Sequence, residues 1–411
     1  MARVTQFYAR PLFTSRGDPT VEVDVHLGHV MGRAVAPQGA SSGKNEALHL
    51  PQGGSRQAVK NLYSVREKLV GLDASDLEGV SRRLREVDGT PNFSFIGGAS
   101  AFAFSVASAV AEAEAEGKPL YQLISGREGG TIPVPIGNAL GGGKHAGPGS
   151  PDIQEFLVAA LGAPDVYSAV AANLAVHNEV RKLIEARDPS FPGGKGDEGA
   201  WAPRMKDEEA LEVVGRAVEK VSKELGFRMG FGLDLAASSL WDGDRKVYDY
   251  SRKGRKLNTA EQIDYVLDLI RDHSLFYVED PLDEEDFDGF MELTAKAKGT
   301  WIVGDDIFVT QLPRLRRGIS IRAANGVIMK VNQVGPLYDA MMFAQEAHAS
   351  GYLVTASHRS GDTWEPHLAQ IAIGAGAQLL KCGILGGERM SKLAELIRLA
   401  EQHPSLSLAR F

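Results

Sequence analysis

Val327-Ile328-Met329-Lys330-Val331-Asn332-Gln333 is an apolar run that stops on a lysine. Read as a barrel strand, it buries Val327 to Met329 and carries the amine at its C-terminal end. A lysine pressed into a desolvated site loses proton affinity and becomes a usable base. On its own, such a run would more often end an edge strand with a surface lysine. The neighbouring runs argue otherwise. Leu275-Phe276-Tyr277-Val278-Glu279 and Trp301-Ile302-Val303-Gly304-Asp305 end on acids, and Met229-Gly230-Phe231-Gly232-Leu233-Asp234 precedes them. Tyr352 to Ser360 and Leu379-Leu380-Lys381 follow. Glu279, Asp305, Lys330, Ser357 and Lys381 succeed one another at intervals of 26, 25, 27 and 24 residues. That period suits one strand, one helix and two loops, repeated around a (β/α) barrel. Each polar residue stands where its strand stops, on the face where barrel enzymes carry their chemistry. Asp234, Glu279 and Asp305 would repel one another there, so a cation is implied, and oxygen donors of this kind suit Mg²⁺.

A chain of 411 residues exceeds what one core usually holds, so two domains are expected. Its 43% hydrophobic and 24% charged residues are an ordinary globular balance. A net charge of −8 argues against a nucleic-acid or anionic-membrane surface. The single cysteine, Cys382, excludes an internal disulfide and fits a reducing cytoplasm. Met1 to Gln6 contains no apolar signal-peptide core, and the longest apolar stretch, Ala99 to Ala111, is too short to span a bilayer.

From Thr20 to Leu27 the chain alternates, with Val21, Val23, Val25 and Leu27 on one face of a half-buried strand. Tyr8 to Phe13 and Arg33 to Ala36 are expected to flank it. Helices are expected over Ser55 to Val70, Ser75 to Glu86 and Ala99 to Glu116, the last stopping at Gly117 with Pro119 beyond. The predicted organisation is an α+β cap over residues 1–125, a linker over 126–131, and a barrel over 132–411 that opens with a strand from Ile132 to Ile136. A long helix is expected over Ala163 to Ala186. The loop Gly141-Gly142-Gly143-Lys144-His145 lacks nucleotide-fingerprint spacing.

The chain resembles the enolase family, the phosphopyruvate hydratases, over essentially its whole length. The matching strings are Ser15-Arg16-Gly17-Asp18-Pro19-Thr20-Val21-Glu22-Val23, Gly39-Ala40-Ser41-Ser42-Gly43, Lys144-His145-Ala146-Gly147, Gln154-Glu155-Phe156, Gly196-Asp197-Glu198-Gly199, the three acidic strand ends, Lys330-Val331-Asn332-Gln333, Ser357-His358-Arg359-Ser360-Gly361 and Lys381. Each is short; their joint order is specific. The resemblance implies an enolase-type, TIM-like α/β barrel behind an N-terminal α+β cap, and the Mg²⁺-dependent dehydration of 2-phosphoglycerate to phosphoenolpyruvate. By resemblance, Asp234, Glu279 and Asp305 are the ligands of a first Mg²⁺, and Ser41 is the lid residue that reaches a second. Lys330 looks like the base, and Glu198 with Glu155 like the acid for the departing hydroxyl. Arg359 and Ser360 look like the phosphate clamp, with His358 supporting its neighbours and Gly39 and Ala40 in the first lid. His145 belongs to a second lid, and Lys381 looks like the partner of the substrate carboxylate. Enolase-type sites pair a lysine or histidine base with one or two Mg²⁺ ions, as is general for that superfamily. Asp280 and Asp306 read as capping or loop acids.

Some positions depart from the family pattern. Gly141-Gly142-Gly143 replaces Asn-Gly-Gly, and Gly361-Asp362-Thr363-Trp364-Glu365 replaces Gly-Glu-Thr-Glu-Asp. After Lys381, the run Cys382 to Arg389 is one residue shorter and lacks an arginine. That arginine commonly meets the partner subunit opposite the glutamate matching Glu22. A homo-oligomer is expected, with its usual dimer contact in doubt. Trp364 and Ile384 bring bulk near the pocket in sequence. Two other readings therefore stand beside the first: a paralogue acting on another 2-hydroxy or phosphorylated acid, and a non-catalytic binding protein on the same fold.

Overall fold

The computed structural model describes residues 2–40, 43–250, 252 and 254–411. The chain begins with a three-stranded antiparallel meander, Gln6–Phe13, Pro19–Leu27 and Val30–Val35, with the second strand in the middle. Val21, Val23 and Val25 have no exposure and pack under the helix Gly98–Ala115. The close approach needs small residues on both sides. A Cβ on Gly32 would stand 2.1 Å from the Ala107 carbonyl oxygen. The other face of the central strand is also buried, against expectation, because the flanking strands cover it. The register sets Arg10 opposite Glu22 and Arg33 opposite Asp24. Arg10 pairs with both acids, and Arg33 Nε lies 2.5 Å from Asp24 Oδ1.

The predicted first helix is two, Gly54–Ser64 and Arg66–Leu69, and the next runs Leu77–Asp88. The expected linker ends inside a strand, Gly130–Ile132, that pairs in parallel with Leu406–Leu408. The first barrel strand follows at Val134–Gly141, later than the sequence reading placed it.

Eight strands close the barrel: Val134–Gly141, Glu155–Ala159, Gly230–Asp234, Tyr277–Glu279, Trp301–Gly304, Gly326–Met329, Leu353–Ser357 and Leu379–Lys381. Seven run parallel. Glu155–Ala159 runs antiparallel to both its neighbours and is followed by two consecutive helices, Val166–Arg187 and Asp207–Leu225. Barrel strands alternate with helices from Gly230 onward, interrupted by a small sheet of Trp241–Asp242, Val247–Tyr250 and Arg255–Leu257. No helix among the described residues is long and apolar enough to cross a membrane.

The sheet and the barrel meet where the Val35 N–H donates to Glu365 Oε2 at 2.7 Å. Burial pushes this carboxyl up to about 8, helped by Glu22 and opposed by that N–H, Lys392 and Arg33. Native Glu365 therefore keeps a proton that the unfolded chain releases above the usual glutamate range, and stability falls as pH rises towards 8. Glu365→Gln is expected to remove this fall. Denaturant unfolding across pH 5 to 8 should show the variant gaining on the parent as pH rises. A gap that stays constant would refute the raised value.

Candidate active site

The C-terminal mouth of the barrel opens on a cavity of about 240 Å³. Asp234 and Lys381 end their strands, and Asp305 and Lys330 stand one residue beyond theirs. Glu155 begins its strand yet reaches the same mouth, because that strand runs backwards and sets Glu155 opposite Asp234. Glu198 arrives from the loop between the two consecutive helices. There Gly199 has φ +80°, and a Cβ on it would lie 2.2 Å from the Leu385 carbonyl oxygen. Only glycine lets the loop settle so closely on the loop after the last strand.

The charges are interleaved. Lys381 Nζ lies 2.7 Å from Glu279 Oε1, 3.0 Å from Asp234 Oδ2 and 3.2 Å from Glu155 Oε2. Glu279 is fully buried beneath Lys381 and does not border the cavity; the Tyr277 hydroxyl donates to it at 2.7 Å. Lys330 Nζ pairs with Asp305 Oδ2, and Gln333 Nε2 donates to Asp305 Oδ1 at 3.1 Å. Burial alone would lower the Lys330 amine, as the sequence reading expects. Burial is the largest single influence, but Asp305 and Glu279 together offset it, and the amine is held above its ordinary value. Asp280 accepts the N–H groups of Asp305 and Asp306 at 2.9 Å each, ordering their loop. Carboxylate oxygens of Asp280, Asp305 and Asp306 lie within 4.8 Å of one another, so this group could hold a metal ion.

The same cavity is lined by a carboxyl pair bridged by a histidine. His145 Nδ1 is 3.3 Å from Glu155 Oε1 and 3.8 Å from Glu198 Oε1. His358 Nε2 is 3.5 Å from the same Glu198 oxygen. Burial would depress His145, but Glu198 and Glu155 hold it up to about 9. Burial and the neighbouring Glu198 charge raise Glu155. Burial also acts against the Glu198 charge, but His145 and His358 hold that carboxyl well below the usual range. Two adjacent carboxyls pushed in opposite directions form an acid and a base. Glu198 Oε2 is buried with no hydrogen-bond partner among the described residues.

A third part of the lining carries the Arg359 guanidinium. Arg359 Nη1 donates to Glu46 Oε2 at 3.0 Å and to Asn332 Oδ1 at 3.2 Å. The Ala40 N–H donates to Ser360 Oγ at 2.7 Å, and Gly39 borders the cavity beside it. Ser41 lies outside the described residues. Trp364, at 54% exposure, and Ile384, buried against Gly137, both stand clear of the cavity lining. Sequence reasoning gave no role to Glu46, Tyr277 or Arg389, and Gln333 entered only as a motif letter. Glu46 follows the first glycine-rich loop closely enough to have been suspected. Tyr277 and Arg389 look like core and surface residues until their partners are known.

Fold and site together define a (β/α) barrel whose mouth gathers carboxylates, ammonium groups and a guanidinium around one cavity. The family models described as "Enolase, N-terminal domain" and "Enolase, C-terminal TIM barrel domain" match residues 4–124 and 130–408. The enolase of Methanothermobacter thermautotrophicus is 45% identical over 402 residues, covering 97% of each chain. That of Pyrobaculum aerophilum is 46% identical over 406 residues, 97% of this chain and 96% of its own. That of Halorubrum lacusprofundi is 45% identical over 408 residues, 98% and 99% respectively. The chain belongs to the enolase family, and so to the hydro-lyases.

Proposed function

We propose that this chain catalyses the reversible, Mg²⁺-dependent dehydration of 2-phosphoglycerate to phosphoenolpyruvate, in the cytoplasm, as a step of glycolysis and gluconeogenesis. The observation that carries the reading is the placing of Lys330, the Glu155–Glu198 pair and Arg359 with Ser360 around one cavity. Lys330 removes the proton on C2, for which its pair with Asp305 must open. On the same cavity, the Glu198–Glu155 pair delivers a proton to the departing hydroxyl on C3: Glu155 holds it, and the ionised Glu198 takes it up and passes it on. Arg359 and Ser360 take the phosphate, Lys381 faces the substrate carboxylate, and His145 closes the second lid over the carboxyl pair.

Asp234, Glu279 and Asp305 would hold the first Mg²⁺, and Ser41 would reach the second. The donor set fits: three carboxylates on successive strand ends now draw two ammonium groups among them. When bound, Mg²⁺ supplies the positive charge needed by the negative charge that develops on the substrate carboxylate. The position of Trp364 and Ile384 away from the cavity favours 2-phosphoglycerate over an altered substrate. We also propose a cap over 1–125, a linker over 126–131 and a barrel over 132–411. We propose a homo-oligomer as well; Glu22 already pairs with Arg10 inside the chain, which speaks against the family's usual glutamate–arginine contact.

Phosphoenolpyruvate formation from 2-phosphoglycerate, followed with Mg²⁺ and with excess chelator, tests the reading. Turnover is expected only with Mg²⁺, and Asp305→Asn is expected to abolish it while circular dichroism stays unchanged. Full turnover in chelator would defeat the metal assignment.

A further inference from the structure

Arg389 is among the largest fully buried side chains among the described residues, and no step of the proposed chemistry uses it. It stands early in the helix Gly387–Gln402 and turns its guanidinium beneath residues 358–360. Nη1 donates to His358 Nδ1 at 2.8 Å and to the Arg359 carbonyl at 2.8 Å. Nη2 donates to the Ser360 carbonyl at 2.7 Å and to the Asp197 carbonyl at 3.2 Å. Asp362 Oδ2 balances the charge from 3.1 Å, shared with Lys392 at 3.1 Å, and Glu388 Oε1 lies 3.5 Å from Nε.

A guanidinium carries donors only. The His358 Nδ1 that it meets must therefore offer a lone pair, and the single ring proton sits on Nε2. That nitrogen is the one facing Glu198 Oε1 at 3.5 Å. A second ring proton would point an N–H at the guanidinium. The groups facing the ring are Arg389, Glu198 and Asp362, with Lys392 behind Asp362. Burial first, then Arg389, hold the imidazole down to about 4, so it stays neutral at working pH.

We infer that Arg389 is a positioning residue: it fixes the tautomer of His358, so that a neutral N–H faces Glu198 and keeps that carboxylate ionised and aimed. The same fork holds the carbonyls of Arg359 and Ser360, joining that part of the lining and the carboxyl pair into one unit. With the opposite tautomer, a lone pair would face Glu198 and favour its protonated form. The inference rests on the acid–base role proposed for Glu198.

Neutron diffraction from deuterium-exchanged crystals of the unaltered protein tests the tautomer without any substrate. Deuterium is expected on Nε2 of His358 and not on Nδ1; the reverse overturns the inference. Arg389→Lys keeps the charge but cannot serve His358 and three carbonyls together. It is expected to lower kcat by roughly 10–100-fold, the range found when a metal-bound histidine loses the partner that orients it. It should also move the acidic limb of the kcat/KM profile to higher pH, while C2-proton exchange by Lys330 persists. In a His358→Phe background no ring N–H or lone pair faces Glu198 and nothing is left for Arg389 to set, and there Arg389→Lys should leave the limb in place. An equal displacement in both backgrounds makes Arg389 merely structural and overturns the inference. If Arg389→Lys fails to fold, the neutron result decides. If the unaltered protein does not act on 2-phosphoglycerate, the proposed function falls while the tautomer assignment is judged separately.

Discussion

Lys330→Ala is expected to lose both phosphoenolpyruvate formation and exchange of the substrate C2 proton with deuterated water, whereas Glu198→Gln loses only the first. The two residues serve different atoms. Lys330 pairs with Asp305, and Glu198 stands with Glu155 and His145, all on the lining of one cavity. Removing the amine leaves no base for C2, so nothing downstream can happen. Gln keeps the size and polarity of Glu198 but cannot pass on a proton, so C2 exchange continues while the hydroxyl stays. Loss of a general acid or base typically costs ~10²–10⁴-fold, wide enough for the two patterns to separate. Proton NMR of 2-phosphoglycerate in deuterated water with Mg²⁺ reads both. Exchange at the parent rate in Lys330→Ala would place the base elsewhere.

Arg359→Lys is expected to weaken transition-state binding by about 2–4 kcal/mol, in the range for truncating one partner of a buried charge pair. The guanidinium is buried and already engages Glu46 Oε2 and Oε1 through two nitrogens, at 3.0 and 3.3 Å. That fork matches a phosphate equally well, and a lysine ammonium cannot reproduce it. Glu46 Oε1 also accepts the Gly43 N–H at 2.9 Å, so the same arginine is tied to the end of the first glycine-rich loop. Steady-state kcat/KM for 2-phosphoglycerate measures the effect. Equal values for variant and parent would show that Arg359 does not hold the phosphate.

Much of the architecture was legible because a barrel writes itself at a regular period. Apolar runs ending on Glu279, Asp305, Lys330 and Lys381 expose both the strands and the face on which their ends gather. The reading faltered where periodicity carries no information. A strand reads the same in either direction, so nothing in Glu155-Phe156-Leu157-Val158-Ala159 announced that it runs backwards. The polar face of Pro19–Leu27 read as solvent-facing because the arginines that cover it lie on other strands. The sequence also predicted a Lys330 amine weakened by burial, without the nearby carboxylates of Asp305 and Glu279 that together reverse the shift.

By itself the sequence determined what is encoded locally: the apolar periodicity, the acids and lysines at strand ends, the glycine-rich loops, and the family those strings belong to. Tertiary structure alone decided which distant groups meet. Glu198 reaches the cavity from a loop that only glycine could seat. Glu155 faces Asp234 because its strand is antiparallel. Arg389 lies buried against His358, 31 residues away in the chain. Such contacts depend on closing the barrel, and the charge on a buried group is set by the neighbours that closure supplies.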